Sequence, residues 1–340
     1  MKVLRFILFP FAILYDFVTR IRNLFFDIGV FKQTSFKTPV IVVGNLSVGG
    51  TGKTPQIEYL IRLLKDTYKT AVLSRGYKRK TTGFVLLNNK HSAEDVGDEP
   101  LQYFKKFKNL DVAVDANRVA GISNLVENRE PNVVLLDDAF QHRKVKGSFY
   151  ILLTKYDDLF INDFLLPTGN LRESKVGAER ADVILVTKCP ENLPKEAQNR
   201  IKEKLKKFNK KVFFTSISYK DKVIGTSEIP VLELNNFEVL LITGIANPLP
   251  LTKYLKDLNV TFQHLKFGDH HHFSENEIKD IQNRFKEMSS SKIILTTEKD
   301  YVRLLDKIND LYYLPIETTF LNEDNKAFNL LINNHLKEFI

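Results

Sequence analysis

Residues 39–64, PVIVVGNLSVGGTGKTPQIEYLIRLL, run an apolar, β-branched stretch into a glycine-rich turn and then into a helical pattern. That order fixes the local structure as strand, phosphate-binding loop and helix, because glycines let backbone N–H groups close around anionic oxygens at a helix N-terminus. Lys53 would supply a mobile positive charge and the Thr54 hydroxyl a magnesium ligand. The nucleotide-binding loop is therefore expected at Ser47, Val48, Gly49, Gly50, Thr51, Gly52, Lys53 and Thr54. The strict form of the motif has glycine where this chain has Ser47, but Gly49, Gly50 and Gly52 lie close by.

A loop of this kind needs a parallel sheet behind it. Short apolar runs at 39–44, 70–74, 111–114, 132–137, 149–153, 182–187 and 211–215 alternate with helical patterns. The alternation predicts an α/β fold of the P-loop NTPase type, a mainly parallel sheet with helices on both faces. The rhythm breaks over 216–236, which reads as a linker. Beyond it, FEVLLITG, a helix from about 249, VTFQHLKF, a helix from about 275 and KIILTT form a second, smaller α/β unit. In TTEKDYVRL, Thr297 is placed to cap the next helix, with Asp300 three residues later. The expected organisation is a terminal helix over 1–30, a P-loop domain over 31–215, the linker, and the smaller domain over 237–340.

The first thirty residues are the most apolar stretch. On a helical wheel Lys2, Arg5, Asp16, Arg20, Asn23 and Asp27 share a stripe of about 60°, with apolar residues over most of the rest. This suits a helix lying in a membrane interface, with Pro10 expected to kink it. The interrupted apolar run and the lack of an A-x-A site argue against a signal peptide, and Arg5, Pro10 and Asp16 argue against a span. A net charge of +9 fits an anionic surface or a phosphorylated substrate, while interleaved aromatic and basic motifs for nucleic acid are missing. The lone cysteine, Cys189, excludes an internal disulfide and favours a reducing compartment. No protein partner is implied.

NVVLLDDAFQH is an apolar strand ending in Asp137 and Asp138, the acidic partner expected to hold magnesium beside the loop. In extended chain the two alternate sides, one serving the metal and the other the phosphate environment or a positioning role. VGDEP places Asp98 and Glu99 at a helix start, where the helix dipole alone favours acids. Arg75 and Arg118 follow strand ends, where ligands of open α/β sheets collect, and suit a phosphorylated acceptor. His270, His271 and His272 point in different directions and make a poor metal site, so one histidine paired with a carboxylate is the better reading. TKYD at 154–157 is compatible with a guanine-reading motif and a GTPase switch or metallochaperone. Against that, Phe140 stands where a switch has glycine, and only 17 residues separate Asp137 from Lys155. A non-enzymatic membrane protein with structural ATP is the other alternative.

The strings VVGNLSVGGTGKTP, LSRGYKRK, VGDEP, LLDDAFQHRKV, LPTGNLRE, TGIANP, FGDHHHFS and TTEKD together resemble the lipid A 4'-kinase family, the tetraacyldisaccharide 4'-kinases. The resemblance implies transfer of the ATP γ-phosphate to the 4'-hydroxyl of a tetraacylated glucosamine disaccharide 1-phosphate at the cytoplasmic face of the inner membrane. It implies two α/β domains with the site between them and ATP with Mg2+ as cofactors. Lys53 and Thr54 would bind phosphate and magnesium, and Asp137 and Asp138 would belong to the metal site. Asp98 with His270 would form the base, with Lys53 and Asp138 also catalytic. Arg75, Arg118, Gln141, His142 and Arg172 would contact the acceptor. Ala139 departs from the glycine expected in many members, which bears on the backbone of that turn.

Overall fold

A computed structural model describes residues 5–288 and 291–339, so Lys2 lies outside the described residues. The first unit is built on β1 (Val40–Asn45), β2 (Thr70–Ser74), β3 (Val85–Leu86), β4 (Asp111–Val114), β5 (Val133–Asp137), β6 (Phe149–Lys155), β7 (Val183–Thr187) and β8 (Lys211–Tyr219). The second carries β9 (Lys222–Ile224), β10 (Glu228–Pro230), β11 (Glu238–Thr243), β12 (Phe262–Lys266), β13 (Lys292–Thr297) and β14 (Leu311–Leu314), and β15 (Ile316–Phe320) follows. In the larger sheet the order is β15-β8-β7-β6-β1-β5-β2-β4-β3, parallel from β8 to β4 with antiparallel edges. Its inner strands are continuous runs of Val, Ile and Leu because helices cover both faces. β1 lies between β5 and β6, and its register pairs Val43 with Asp137, so the chain entering the glycine loop emerges beside the acidic pair.

The domain boundaries differ from those read in the sequence. The expected linker, 216–236, holds the end of β8 together with β9 and β10, which join the smaller sheet. The chain then returns: β15 pairs with β8, and the helix Asn325–Lys337 buries Phe328, Ile332 and Leu336 in the core of the first unit. Only Pro315 separates β14 in one sheet from β15 in the other. Lys220 N donates to Pro315 O at 2.9 Å, so the outgoing and returning crossings lie side by side.

The N-terminal helix spans Phe9–Asp27. Pro10 sits in its first turn, where its missing N–H has no intrahelical partner to lose, so it starts the helix instead of kinking it. The polar stripe faces the protein. Tyr15 Oη donates to Arg172 O at 2.8 Å, Asn23 Nδ2 to Glu173 Oε2 at 3.0 Å, and Arg143 pairs with Asp27 at 2.5 Å. Phe11, Leu14, Phe17 and Val18 face outward, which inverts the usual arrangement of a surface helix. Among the described residues no helix is long and apolar enough to cross a membrane.

Candidate active site

The glycine loop is braced on both flanks. Val48 N donates to Asn170 O at 2.8 Å and Arg172 N to Leu46 O at 2.7 Å, while Thr187 Oγ1 donates to Thr51 O at 2.7 Å. Gly49 and Gly52 adopt φ of +104° and +85°, conformations that favour glycine. Ser47 is absent from the positive-φ positions and bridges Leu171, which explains why a serine is tolerated where the strict motif has glycine.

The acidic pair does not alternate along an extended chain as expected. Asp137 ends β5, but Asp138 turns into the left-handed region at φ +47°, so both carboxylates reach the loop side. That also settles the turn: the strained position is 138, and Ala139 needs no glycine. Asp138 contacts Lys53 Nζ at 3.4 Å and Arg172 Nη1 at 3.2 Å. Burial opposes its charge, but Lys53 and Arg172 win and hold it below the usual carboxylate range. Asp137 is instead pushed up to about 7, by burial first and then by Asp138 and Glu99. Its Oδ2 accepts from Ser74 Oγ at 3.4 Å and Tyr103 Oη at 3.3 Å, and its buried Oδ1 has no hydrogen-bond partner among the described residues. Tyr103 also lies beside Thr54, so one phenol stands between two of the expected metal ligands. An orphaned carboxylate oxygen beside a second carboxylate and a hydroxyl suits a hard divalent cation such as Mg2+.

Asp98 and His270, 172 positions apart, meet with Nδ1 to Oδ2 at 3.0 Å. Asp98 begins the helix Asp98–Lys106, and His270, at φ +57°, lies in the loop after β12. Sequence reasoning missed two cations here. Arg303 grips Asp98 with two N–H groups of one guanidinium edge, Nε to Oδ1 at 2.6 Å and Nη2 to Oδ2, and Lys299 Nζ lies 2.8 Å from His270 Nε2. Both project from the helix Glu298–Leu304, which Thr297 caps through the Asp300 N–H as read in the sequence. Their spacing of four in TTEKDYVRL was the available signal. Burial works against the Asp98 carboxylate, but His270 and Arg303 outweigh it and lower its pKa. Asp98, Glu99 and His270 offer ligand atoms within 4.8 Å of one another, yet Arg303 and Lys299 already supply the positive charge a metal would bring.

Arg75 and Arg118 form a basic group beside the acidic pair, with an uncharged His142 next to them. Arg118 is lowered to about 10 by burial, and His142 to about 4 by burial and then by Arg118, Lys144, Arg22 and Arg75. The Arg118 Nε and His142 Nε2 are buried without hydrogen-bond partners among the described residues. Gln141 turns away: its amide donates to Asn45 O at 2.8 Å and Glu173 Oε1 at 2.9 Å. Lys188, left-handed at φ +57° after β7, is a further cation by the loop that the sequence reading missed, and its pKa is lowered by burial and by Lys155 and Lys53. Within TKYD, Asp157 is exposed, 4.0 Å from Lys155.

The profile of the tetraacyldisaccharide-1-P 4'-kinase family matches residues 4–337. The chain belongs to this family. The tetraacyldisaccharide 4'-kinase of Flavobacterium johnsoniae is 55% identical over 99% of this chain and 99% of its own. That of Bacteroides thetaiotaomicron is 43% identical over 97% and 93%. The crystal structure of the family member from Aquifex aeolicus in complex with ATP superposes with a TM-score of 0.80 at 31% identity, covering 98% of this chain and 99% of that one. Membership removes the GTPase and metallochaperone alternative and places the chain among phosphotransferases.

Proposed function

We propose that the chain transfers the γ-phosphoryl group of ATP to the 4'-hydroxyl of a tetraacyl disaccharide 1-phosphate, a reading supported by the family description, tetraacyldisaccharide-1-P 4'-kinase, and by the relatives' name, tetraacyldisaccharide 4'-kinase. The observation that carries the assignment of the base is the Asp98–His270 contact, which joins the two units beside the acidic pair. Phosphoryl transfer is catalysed mainly by positioning and charge neutralisation. Lys53 and the loop N–H groups hold the nucleotide phosphates, and Asp138 keeps Lys53 and Arg172 aimed at the same point before ATP arrives. Thr54, Asp137 and Asp138 would hold Mg2+, which would neutralise phosphate charge there. Arg172 then meets charge developing on the transferred group.

His270 donates Nδ1–H to Asp98, which leaves the Nε2 lone pair as proton acceptor. Lys299 occupies that lone pair at 2.8 Å, so the acceptor hydroxyl must displace it. Asp269, 3.3 Å away, and Glu99, 3.9 Å away, receive the ammonium when it moves. Arg75, Arg118 and His142 face the anionic acceptor, and Gln141 supports them by tying Asn45 to Glu173. The outward apolar face of the N-terminal helix lies in the membrane interface at the cytoplasmic face, where the acyl chains remain in lipid while the sugar is presented. Incubating the purified protein with ATP, Mg2+ and a tetraacyl disaccharide 1-phosphate, then measuring lipid mass, tests the reading. Gain of one phosphate supports it; hydrolysis of ATP with unchanged lipid overturns it.

A further inference from the structure

The helices Asp98–Lys106 and Glu298–Leu304 are joined at both ends by reciprocal ion pairs. Asp98, first in one, meets Arg303 in the last turn of the other, and Lys106, last in the first, meets Glu298, first in the second. Each acid sits at a helix N-terminus and each base at a C-terminus, so the helix dipoles reinforce both pairs. Only the Asp98 end touches the reacting groups. The acids of the other end are buried deeper: Glu58 and Glu298 are 1% and 5% exposed, and both contact the Lys106 ammonium, with Lys106 Nζ 2.6 Å from Glu58 Oε2. Gln102 Nε2 adds bonds to Glu58 at 2.8 Å and to Glu298 at 3.5 Å.

The three elements that meet at Lys106 are informative. Glu58 lies on the helix Lys53–Leu64, which begins with the phosphate-binding lysine. Glu298 lies on the helix that carries Lys299 and Arg303. Its carboxylate also faces the Ile316 N–H, at the point where the chain returns to the larger sheet. A charged cluster in a core is weak evidence of added stability, because desolvation offsets the attraction. Arg62 Nη1, 3.4 Å from Glu58 Oε2 and more exposed, balances the second carboxylate, so four charged groups give up water to hold one arrangement. Burial first and then Glu58 push the Glu298 carboxyl up to about 7 against the pull of Lys106. An apolar contact would pack the same helices without that cost, so the cluster points to a requirement for fixed geometry.

We propose that Lys106, with Glu58 and Glu298, is a positioning clamp that sets the Asp98–His270 base against the phosphate-binding loop. The ammonium fixes the loop helix to the helix bearing Lys299 and Arg303, and that helix holds Asp98 and His270 in register. Lys106 touches no reacting atom. This rests on the reading of Asp98–His270 as the base.

The test compares Lys106→Met, Glu298→Gln, the double variant, Asp98→Ala and His270→Ala in the full chain. Folding is checked by circular dichroism, and kcat and the KM for ATP are measured per folded molecule. The His270 imidazole is titrated by NMR, its signal assigned by its loss in His270→Ala. Lys106→Met is expected to lower kcat about tenfold or more with the KM for ATP within about twofold, the split expected when ATP binding is kept and alignment is lost. The double variant should be no worse than Lys106→Met, as for groups acting as a unit. The His270 titration should move by about half a pH unit or more, since its contact with Asp98 is altered. A folded Lys106→Met with unchanged kcat and unchanged His270 titration overturns the clamp, while loss of activity in Asp98→Ala and His270→Ala in the same experiment leaves the base standing. Unchanged kcat in both of those variants overturns the base reading instead. If Lys106→Met does not fold, Glu298→Gln, which keeps the side-chain volume, decides by the same measurements.

Discussion

Replacing Asp137 with asparagine should destroy kinase activity and yet make the metal-free protein more stable at alkaline pH. The Asp137 carboxyl is buried at the end of β5 and titrates at about 7, against 3.8 for an unperturbed aspartate. The raised value means that the native state holds a proton that the unfolded chain releases. Stability is fully present below the unfolded value and is lost as pH rises through about 7. The whole shift of about 3 units corresponds to about 4 kcal/mol at 1.36 kcal/mol per unit. Between about pH 5.5 and 8.5 the part lost is about 2 kcal/mol, because the native carboxyl releases its proton only near 7. Asparagine does not titrate, and its carbonyl can still accept from Ser74 and Tyr103. Urea unfolding followed by circular dichroism in EDTA should therefore show the stability difference, variant minus wild type, growing by about 2 kcal/mol over that interval. Asp138, held below the usual carboxylate range, stays ionised across that interval in both proteins, so its coupling to Asp137 does not mask the difference. Adding Mg2+ with ATP should shrink or reverse the difference, since only the wild type retains the second carboxylate for the cation. A difference that stays constant from about pH 5.5 to 8.5 would refute the claim that burial forces a proton onto Asp137.

Asp98→Ala and His270→Ala should each lower kcat about 100-fold or more with little change in the KM for ATP, and the double variant should be hardly worse; additive losses would separate the two residues. Lys53→Ala should retain its fold by circular dichroism and lose phosphate transfer, because the side chain contacts Asn45 and Asp138 and fills no core space. Phe11→Ser with Phe17→Ser should weaken co-flotation with anionic vesicles about tenfold or more without lowering the melting temperature, since both rings are more than 60% exposed. Competition binding should favour ATP over GTP, and selective GTP binding would give TKYD a role in base recognition.

The parallel core was legible because strands buried on both faces read as unbroken apolar runs; those at 70–74 and 111–114 match β2 and β4, and the other expected strands match to within a few residues. β3, β9 and β10 are too short or too polar to produce a period, and β14 runs into β15 across Pro315 with no turn signal between them but that proline. The return of the chain to the first sheet was hidden for the same reason, since no local signal says which sheet a strand joins. For the candidate site, motif strings singled out Lys53, Asp98, Asp137, Asp138 and His270, but partners set by tertiary packing stayed out of reach. Tyr103, Lys299 and Arg303 are ordinary helix residues until the fold brings them to the Asp137 carboxylate and the Asp98–His270 pair, and Lys188 is an ordinary turn residue until it meets the glycine loop. The helical wheel found the polar stripe of the N-terminal helix but not its direction, because a wheel does not show which face meets protein.

That helix is bolted to the catalytic framework, not strung from it. Tyr15 holds the carbonyl of Arg172, Asn23 holds Glu173, and Arg22 Nη2 reaches the carbonyl of Gln141 at 3.0 Å. Arg172 in turn holds Asp138. A flexible tether would let the phosphate-binding loop sample many heights above the bilayer, whereas this joint allows about one. If the apolar face lies in lipid, the enzyme meets its acceptor as a flat-bottomed tool meets a work surface. Its throughput would depend on how far a head group stands out of the membrane, so bilayers of equal acceptor content but different head-group crowding should be phosphorylated at different rates.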